Sequence, residues 1–147
     1  VPQPIDRSQS LEQLDGQRWP DPPQATTAMV RNVHELRRRP VGLLEPHELA
    51  RLIGQDVGLP WLLPLAVEIL RDTAPRQAAG GWYDDDLLYA VVTRRPEAWA
   101  DMTEAPGWAG VMRDTAAVLV NLPRSLQREV DAFLSALPHL PTNVMTR

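Results

Sequence analysis

The chain has 147 residues, no cysteine, and fifteen basic residues that are all arginine, with a formal net charge of −4 at pH 7. That composition excludes disulfides, thiolate metal sites, cysteine nucleophiles, lysine-bearing phosphate loops and lysine Schiff bases. The acidic balance argues against general binding of nucleic acid, whose phosphates call for positive charge, and suits a basic protein partner. The length suits one domain with its own core, and the lack of cysteine fits a reducing cytosol.

Residues 1–7 form a loose arm, and the opening VPQPIDRSQ has neither the charged start nor the apolar run of a secretion signal, so none is expected. Ser8 or Ser10 caps a short helix carrying Leu11 and Leu14, stopped at Gly16. Gln17 to Gln24, with Pro20, Pro22 and Pro23, is an extended linker anchored by Trp19. Thr26 or Thr27 caps the next helix, whose inner face is Met29, Val30, Val33 and Leu36, and Pro40 ends it. Arg37, Arg38 and Arg39 fall in its last turn, where positive charge complements the helix dipole; that reading is preferred to a phosphate-binding patch. Val41 to Leu44 is an apolar connector. Pro46 opens a helix with Leu49, Leu52 and Ile53 on one stripe.

A Gly-Leu-Pro turn at Gly58 then leads into the most apolar helix, which starts near Pro60 to Leu62 so that Pro64 falls in its first turn. Leu62, Ala66, Ile69 and Leu70 line one side, Leu63 and Val67 widen it, and Glu68, Arg71 and Asp72 take the wet side. A helix apolar over so much of its circumference is central in a bundle, and this one is too short and proline-broken to span a membrane. Ala74 to Gly81 reads as a loop. Trp82 and Tyr83 precede Asp84, Asp85 and Asp86, after which Leu87, Leu88, Val91 and Val92 mark another helix, closed by Arg94 and Arg95. A short helical turn runs from Pro96 to Trp99, and Thr103 to Gly107 breaks the chain. Trp108 to Leu122, apolar through Val111, Met112, Ala116, Val118, Leu119 and Val120, and Arg124 to Leu137 are the last helices; residues 138–147 form a second loose tail. No strand alternation or internal repeat is evident. The expectation is an all-α, single compact domain of six to eight short helices packed around the Leu62–Leu70 helix.

Catalytic groupings are scarce. No serine lies between Ser10 and Ser125, and His34, His47 and His139 lack the spacing of a metal site. The Gly80-Gly81 doublet lacks the lysine and preceding strand of a phosphate cradle. The polar feature that stands out is Asp84-Asp85-Asp86. Its first reading is an N-cap and acidic first turn; a second is acidic charge offered to a basic protein, with Trp82 and Tyr83 as anchors. Divalent metal ranks below both, because consecutive carboxylates at a helix start point in different directions.

The stretch VRNVHELRRRPVGLLEPHELARLIGQDVGLPWLLPLAVEIL, followed by GGWYDDDLLYAVV and PEAW, resembles the immunity proteins of bacterial contact-dependent growth inhibition systems. The shared signatures are the basic helix end before Pro40, the Leu49 to Gln55 helix end, the Gly58 to Pro60 turn, the Leu62 to Leu70 helix and the Tyr83 to Leu88 helix start. Ser10 to Leu14 and Trp19 match the family's opening, and the likeness covers about residues 8–100. The loop Ala74 to Ala79 is less acidic than the family's, and the helices after Gly107 match nothing recognisable. The resemblance implies a non-enzymatic, cytoplasmic inhibitor without cofactor or metal. It would bind the toxic C-terminal domain of a large secreted protein, a basic nuclease by expectation, and occlude its active site or substrate cleft. It would itself contact neither nucleic acid nor membrane. The expected toxin-binding residues are Trp82, Tyr83, Asp84, Asp85, Asp86, Asp101 and Glu104. The alternatives are a helical protein-binding adaptor and a metal-dependent small-ligand domain using the Asp84–Asp86 run. A helix-turn-helix at Leu49 to Leu70 is set aside because its second helix is too apolar to face a major groove.

Overall fold

A computed structural model describes residues 5–100 and 107–137. Among them the fold is all-α: α1 (Leu11–Asp15), α2 (Ala28–Leu36), α3 (Pro46–Gly54), α4 (Leu59–Ala78), α5 (Asp85–Val92), α6 (Pro96–Ala100), α7 (Trp108–Val118) and α8 (Arg124–Ala136), with a 3-10 turn at Val41–Leu43. The extended contact is an isolated antiparallel bridge between Ser10 and Pro40.

Local signals account for most of the starts. Ser10 caps α1 in a reciprocal box with Gln13, and Gly16 ends it in the left-handed region. Thr27 accepts the Val30 N–H to start α2. Pro46 occupies the first turn of α3. The three arginines after α2 are all engaged: Arg37 with Asp15, Arg38 with Glu12 and Asp21, Arg39 with Glu35 and Glu48. Their role here is to fasten neighbouring elements, not to present a phosphate patch. Arg7, within the N-terminal arm, makes a two-pronged pair with Glu68 at 3.0 and 2.8 Å, and its carbonyl accepts the Gly42 N–H. The arm is therefore anchored on α4 at that point.

The centre is α4, which buries Leu62, Leu63, Pro64, Leu65, Ala66, Val67, Leu70 and Ala74. It packs against α3, α5, α6 and α7, while α5 packs on α3 and α8. Trp99 of α6 stacks on Trp108 of α7, ring centroids 4.3 Å apart, and Phe133 of α8 tilts against both. That aromatic cluster joins the last three helices to one core.

Three expectations are corrected. Ala74 to Ala78 is helix, not loop: α4 is 20 residues long and carries Pro75 as well as Pro64. Each proline forfeits one backbone bond, and burial of the helix on several sides outweighs that local loss. On α2, Met29 and Val30 are exposed and only Val33 and Leu36 are buried, because the first turn extends beyond the core. Helix α7 ends at Val118; Leu119 is buried, but Val118 and Val120 are exposed. Gln77 of α4 takes over there, its side chain donating to the Val120 carbonyl and accepting the Val120 N–H.

Gly58 is the tightest point. Its φ is +67°, and a Cβ on it would lie 2.7 Å from both methyls of the fully buried Leu11. Gly58→Ala combines a left-handed backbone penalty of about 1–2 kcal/mol with an overpacking cost of similar size, so urea unfolding should show a loss of about 2–4 kcal/mol. Gly54 has open space around its Cβ position and no positive φ. Gly54→Ala should be neutral or stabilising by up to about 1 kcal/mol in the same assay.

Candidate functional site

The site begins where α4 ends. The Gly81 N–H donates to the Arg76 carbonyl and the Gly80 N–H to the Gln77 carbonyl, with Gly80 at φ +90°. This Schellman motif closes the helix and reverses the chain. A Cβ on Gly81 would lie 2.7 Å from Arg76 Cγ, so the doublet serves a backbone reversal. Trp82 leaves that turn 74% exposed.

The next two residues turn inward. Tyr83 is buried, and its hydroxyl donates to the Leu70 carbonyl at 3.1 Å. Burial, aided by the nearby carboxylates of Asp85 and Asp84, pushes the phenol well above its ordinary range. Asp84 is buried too, and accepts the Leu87 N–H at 2.9 Å as the N-cap of α5. The ring and carboxylate that look most like contact groups in the sequence therefore hold the start of the helix.

Helix α5 buries Leu87, Leu88, Ala90, Val91 and Val92, leaving Asp86 and Tyr89 exposed, and Asp85 and Thr93 half-buried. Within α5, Asp85, Asp86, Tyr89 and, at its C-cap, Thr93 fall at spacings of three and four, so they share one outer face; Trp82 stands just before the helix. Tyr89, 50% exposed, is the site residue that sequence reading missed. The available signal was its position three residues after Asp86 and four after Asp85, in a helix already expected there.

Glu12, Asp15, Asp21, Glu35, Glu48, Asp56, Glu68 and Asp72 each pair with an arginine; Asp85 and Asp86, like Glu97, Asp114, Glu129 and Asp131, have no ion-pair partner among the described residues. Asp85 is held above its ordinary carboxylate range, first by burial and then by the neighbouring charges of Asp86 and Asp84. The carboxylates diverge: one caps the helix, one is half-buried and one is exposed. Among the described residues no cluster of three or more His, Asp or Glu is arranged to hold a metal ion. Asp101 and Glu104 lie outside the described residues.

Beyond the carboxyl end of α5 is a cleft of about 430 Å³ lined by Asp56, Leu59, Arg95, Glu97 and Ala98. Asp56 is occupied there by Arg94 at 2.7 Å, and Arg94 also bonds Thr93 at 3.1 Å, which ties the cleft to the outer face. No helix among the described residues is long and apolar enough to cross a membrane. The outer side of α5 thus carries exposed Tyr89 and Asp86 with half-buried Asp85, and exposed Trp82 stands just before it.

The family model for CDI immunity proteins matches residues 13–106, well over half of the chain and inclusive of the whole α5 face. No curated protein and no solved structure matches significantly.

The raised Asp85 group yields a stability test. A carboxyl whose folded pKa lies above its unfolded value weakens folding at neutral pH and ceases to do so once protonated. Asp85→Asn should therefore raise the thermal midpoint at pH 7, with the gain shrinking as the pH falls toward about 4 and vanishing below it. Asp84→Ala should instead lose about 1 kcal/mol at pH 7 through loss of the cap.

Proposed function

The chain belongs to the CDI immunity proteins, and from that premise we propose that it neutralises its cognate toxin stoichiometrically, by covering the toxin's active site or substrate cleft with the α5 face. The partner is the toxic C-terminal domain of a large secreted protein, and the encounter takes place in the cytoplasm of the producing cell. The toxin is a nuclease with a basic cleft. The observation that carries this reading is the outer face of α5, where exposed Tyr89 follows Asp85 and Asp86, acids without an ion-pair partner among the described residues, with exposed Trp82 in the turn just before the helix.

Physical chemistry favours such a partner. Carboxylates clustered on one face steer a basic cleft during diffusion and then stand where its phosphates would. Aromatic rings at the centre of that face supply contact area at low entropic cost. The mechanism requires no catalytic side chain of the inhibitor, and it agrees with a core in which polar groups cap helices and tie elements together. Metal and nucleic acid play no part in it.

The test is co-expression with the toxin domain encoded immediately upstream, followed by growth measurement and calorimetry of the purified pair. Rescue of growth with one-to-one binding is expected, together with an association rate that falls steeply as salt rises. Two folded proteins that neither bind nor restore growth would overturn the reading.

A further inference from the structure

The N-terminal arm is shaped by its own residues. The Asp6 carboxylate accepts the Ser8 N–H at 3.0 Å and the Ser8 hydroxyl at 2.6 Å, and the Asp6 carbonyl accepts the Gln9 N–H at 3.1 Å. These bonds bend residues 6–9 into a turn by local chemistry alone. The turn is laid along the connector that follows α2: the Val41 N–H donates to the Gln9 carbonyl and the Gly42 N–H to the Arg7 carbonyl, both at 2.9 Å. Gly42 lets the two backbones meet, since a Cβ there would stand 3.0 Å from both Arg7 Cβ and the Arg7 carbonyl oxygen.

At that contact lies a pocket of about 90 Å³ with Val41, Leu44, Leu49, Leu65 and Ile69 in its lining. Arg7 and Glu68 complete the lining, and their side chains, 45% and 38% exposed, are the part that reaches solvent. We propose that residues 5–10 form a strap over this pocket, latched by Arg7 on Glu68, which opens and closes while the helical body stays folded.

A segment opens by itself when it buries little apolar surface and its bonds lie near water. Asp6, Arg7 and Ser8 are exposed, Gln9 is half-buried, and Ile5 is the one apolar residue in the strap. Docking therefore draws on backbone bonds and a solvent-facing ion pair, each of modest net worth. The residues beneath are of another kind. Leu49 and Leu65 are 1% and 5% exposed and belong to α3 and α4, helices that also pack on each other and on α5. Arg7 holds the Glu68 carboxyl below its usual range, so the closed strap carries an ionised pair at neutral pH. Opening uncovers an apolar pocket and frees two charges, which makes the closed state sensitive to salt.

Hydrogen exchange of the full chain, read amide by amide by NMR, reports on the strap directly, because the Val41 and Gly42 N–H groups donate to it. Both should exchange at least about tenfold faster than the amides of Leu65 to Leu70 in α4. Glu68→Gln should speed the two about two- to fivefold while the α4 amides and the thermal midpoint stay close to wild type. Raising sodium chloride from about 0.05 to about 0.5 M should do the same to the wild type and little to Glu68→Gln. Gly42→Ala pushes the strap away from the other side with Glu68 intact, and should speed the Val41 amide at least about tenfold. The chain has no cysteine, so Leu65→Cys places a single thiol in the pocket lining. Its labelling should quicken when Glu68→Gln is added, whereas labelling of Leu70→Cys, on the same helix but outside that lining, should not. Val41 and Gly42 amides as slow as those of α4 would overturn independent opening. Fast exchange indifferent to Glu68→Gln and to salt would overturn the latch, and Leu65→Cys labelling indifferent to Glu68→Gln would overturn the cover over the pocket.

Discussion

A single buried cation organises the first third of the molecule. Arg37 leaves the end of α2 and is enclosed by Asp15 at the end of α1, the carbonyl of Gln17 and the ring of Trp19, so one guanidinium ties a helix, a linker and a second helix together. Its Nε has no partner in that enclosure, a cost the other contacts offset. Buried ion pairs add little net stability over an apolar core, but removing one partner leaves an expensive unpaired charge. The value of this pair lies in what it specifies. A five-residue helix and a proline-rich linker have few apolar contacts with which to choose a position, and Arg37 supplies the choice. Arg38 and Arg39 extend the same fastening to α1, the linker and α3.

That fastening sets Arg7, Arg37, Arg38 and Arg39 against acids of the same layer and of α4. Two acids of the core's edge are answered within the fold: Glu68 is held below the usual carboxylate range chiefly by its bonds from Arg7, and Glu48 by the Glu45 N–H and then Arg39. Those groups lend stability at neutral pH that is lost on acidification. Asp85 is shifted the opposite way.

Legibility in the sequence followed the range of the interaction involved. Caps and turns are local, so Thr27, Pro46, Gly58 and the Asp84 start of α5 could be read from spacing alone. The continuation of α4 through Pro75 could not, because the local argument counts the lost backbone bond while the outcome depends on packing across several helices. The same difficulty hid the exposure of Met29 and Val30: amphipathic spacing shows that a face is apolar, but not how far the rest of the core reaches along it. At the site, the acidic run and Trp82 were legible, but the burial of Tyr83 was not. Tyr83 and Trp82 are neighbours of the same kind, and only the Schellman reversal at Gly80 and Gly81 sends one outward and the other toward Leu70. Tyr89 takes the outward place through helical phase.

The division between Tyr83 and Trp82 also bears on the face proposed to meet the toxin. Tyr83 bonds the backbone of α4 and Asp84 caps α5, so the residues on either side of the outer groups are held by the core itself. Side chains on a helix packed against three others lose little further freedom on binding, and the interaction energy of an aromatic and a carboxylate is then spent on affinity rather than on ordering. The fold's own N-cap and buried tyrosine thus support the proposed binding surface, so that stability and recognition would depend on adjacent residues with separate tasks.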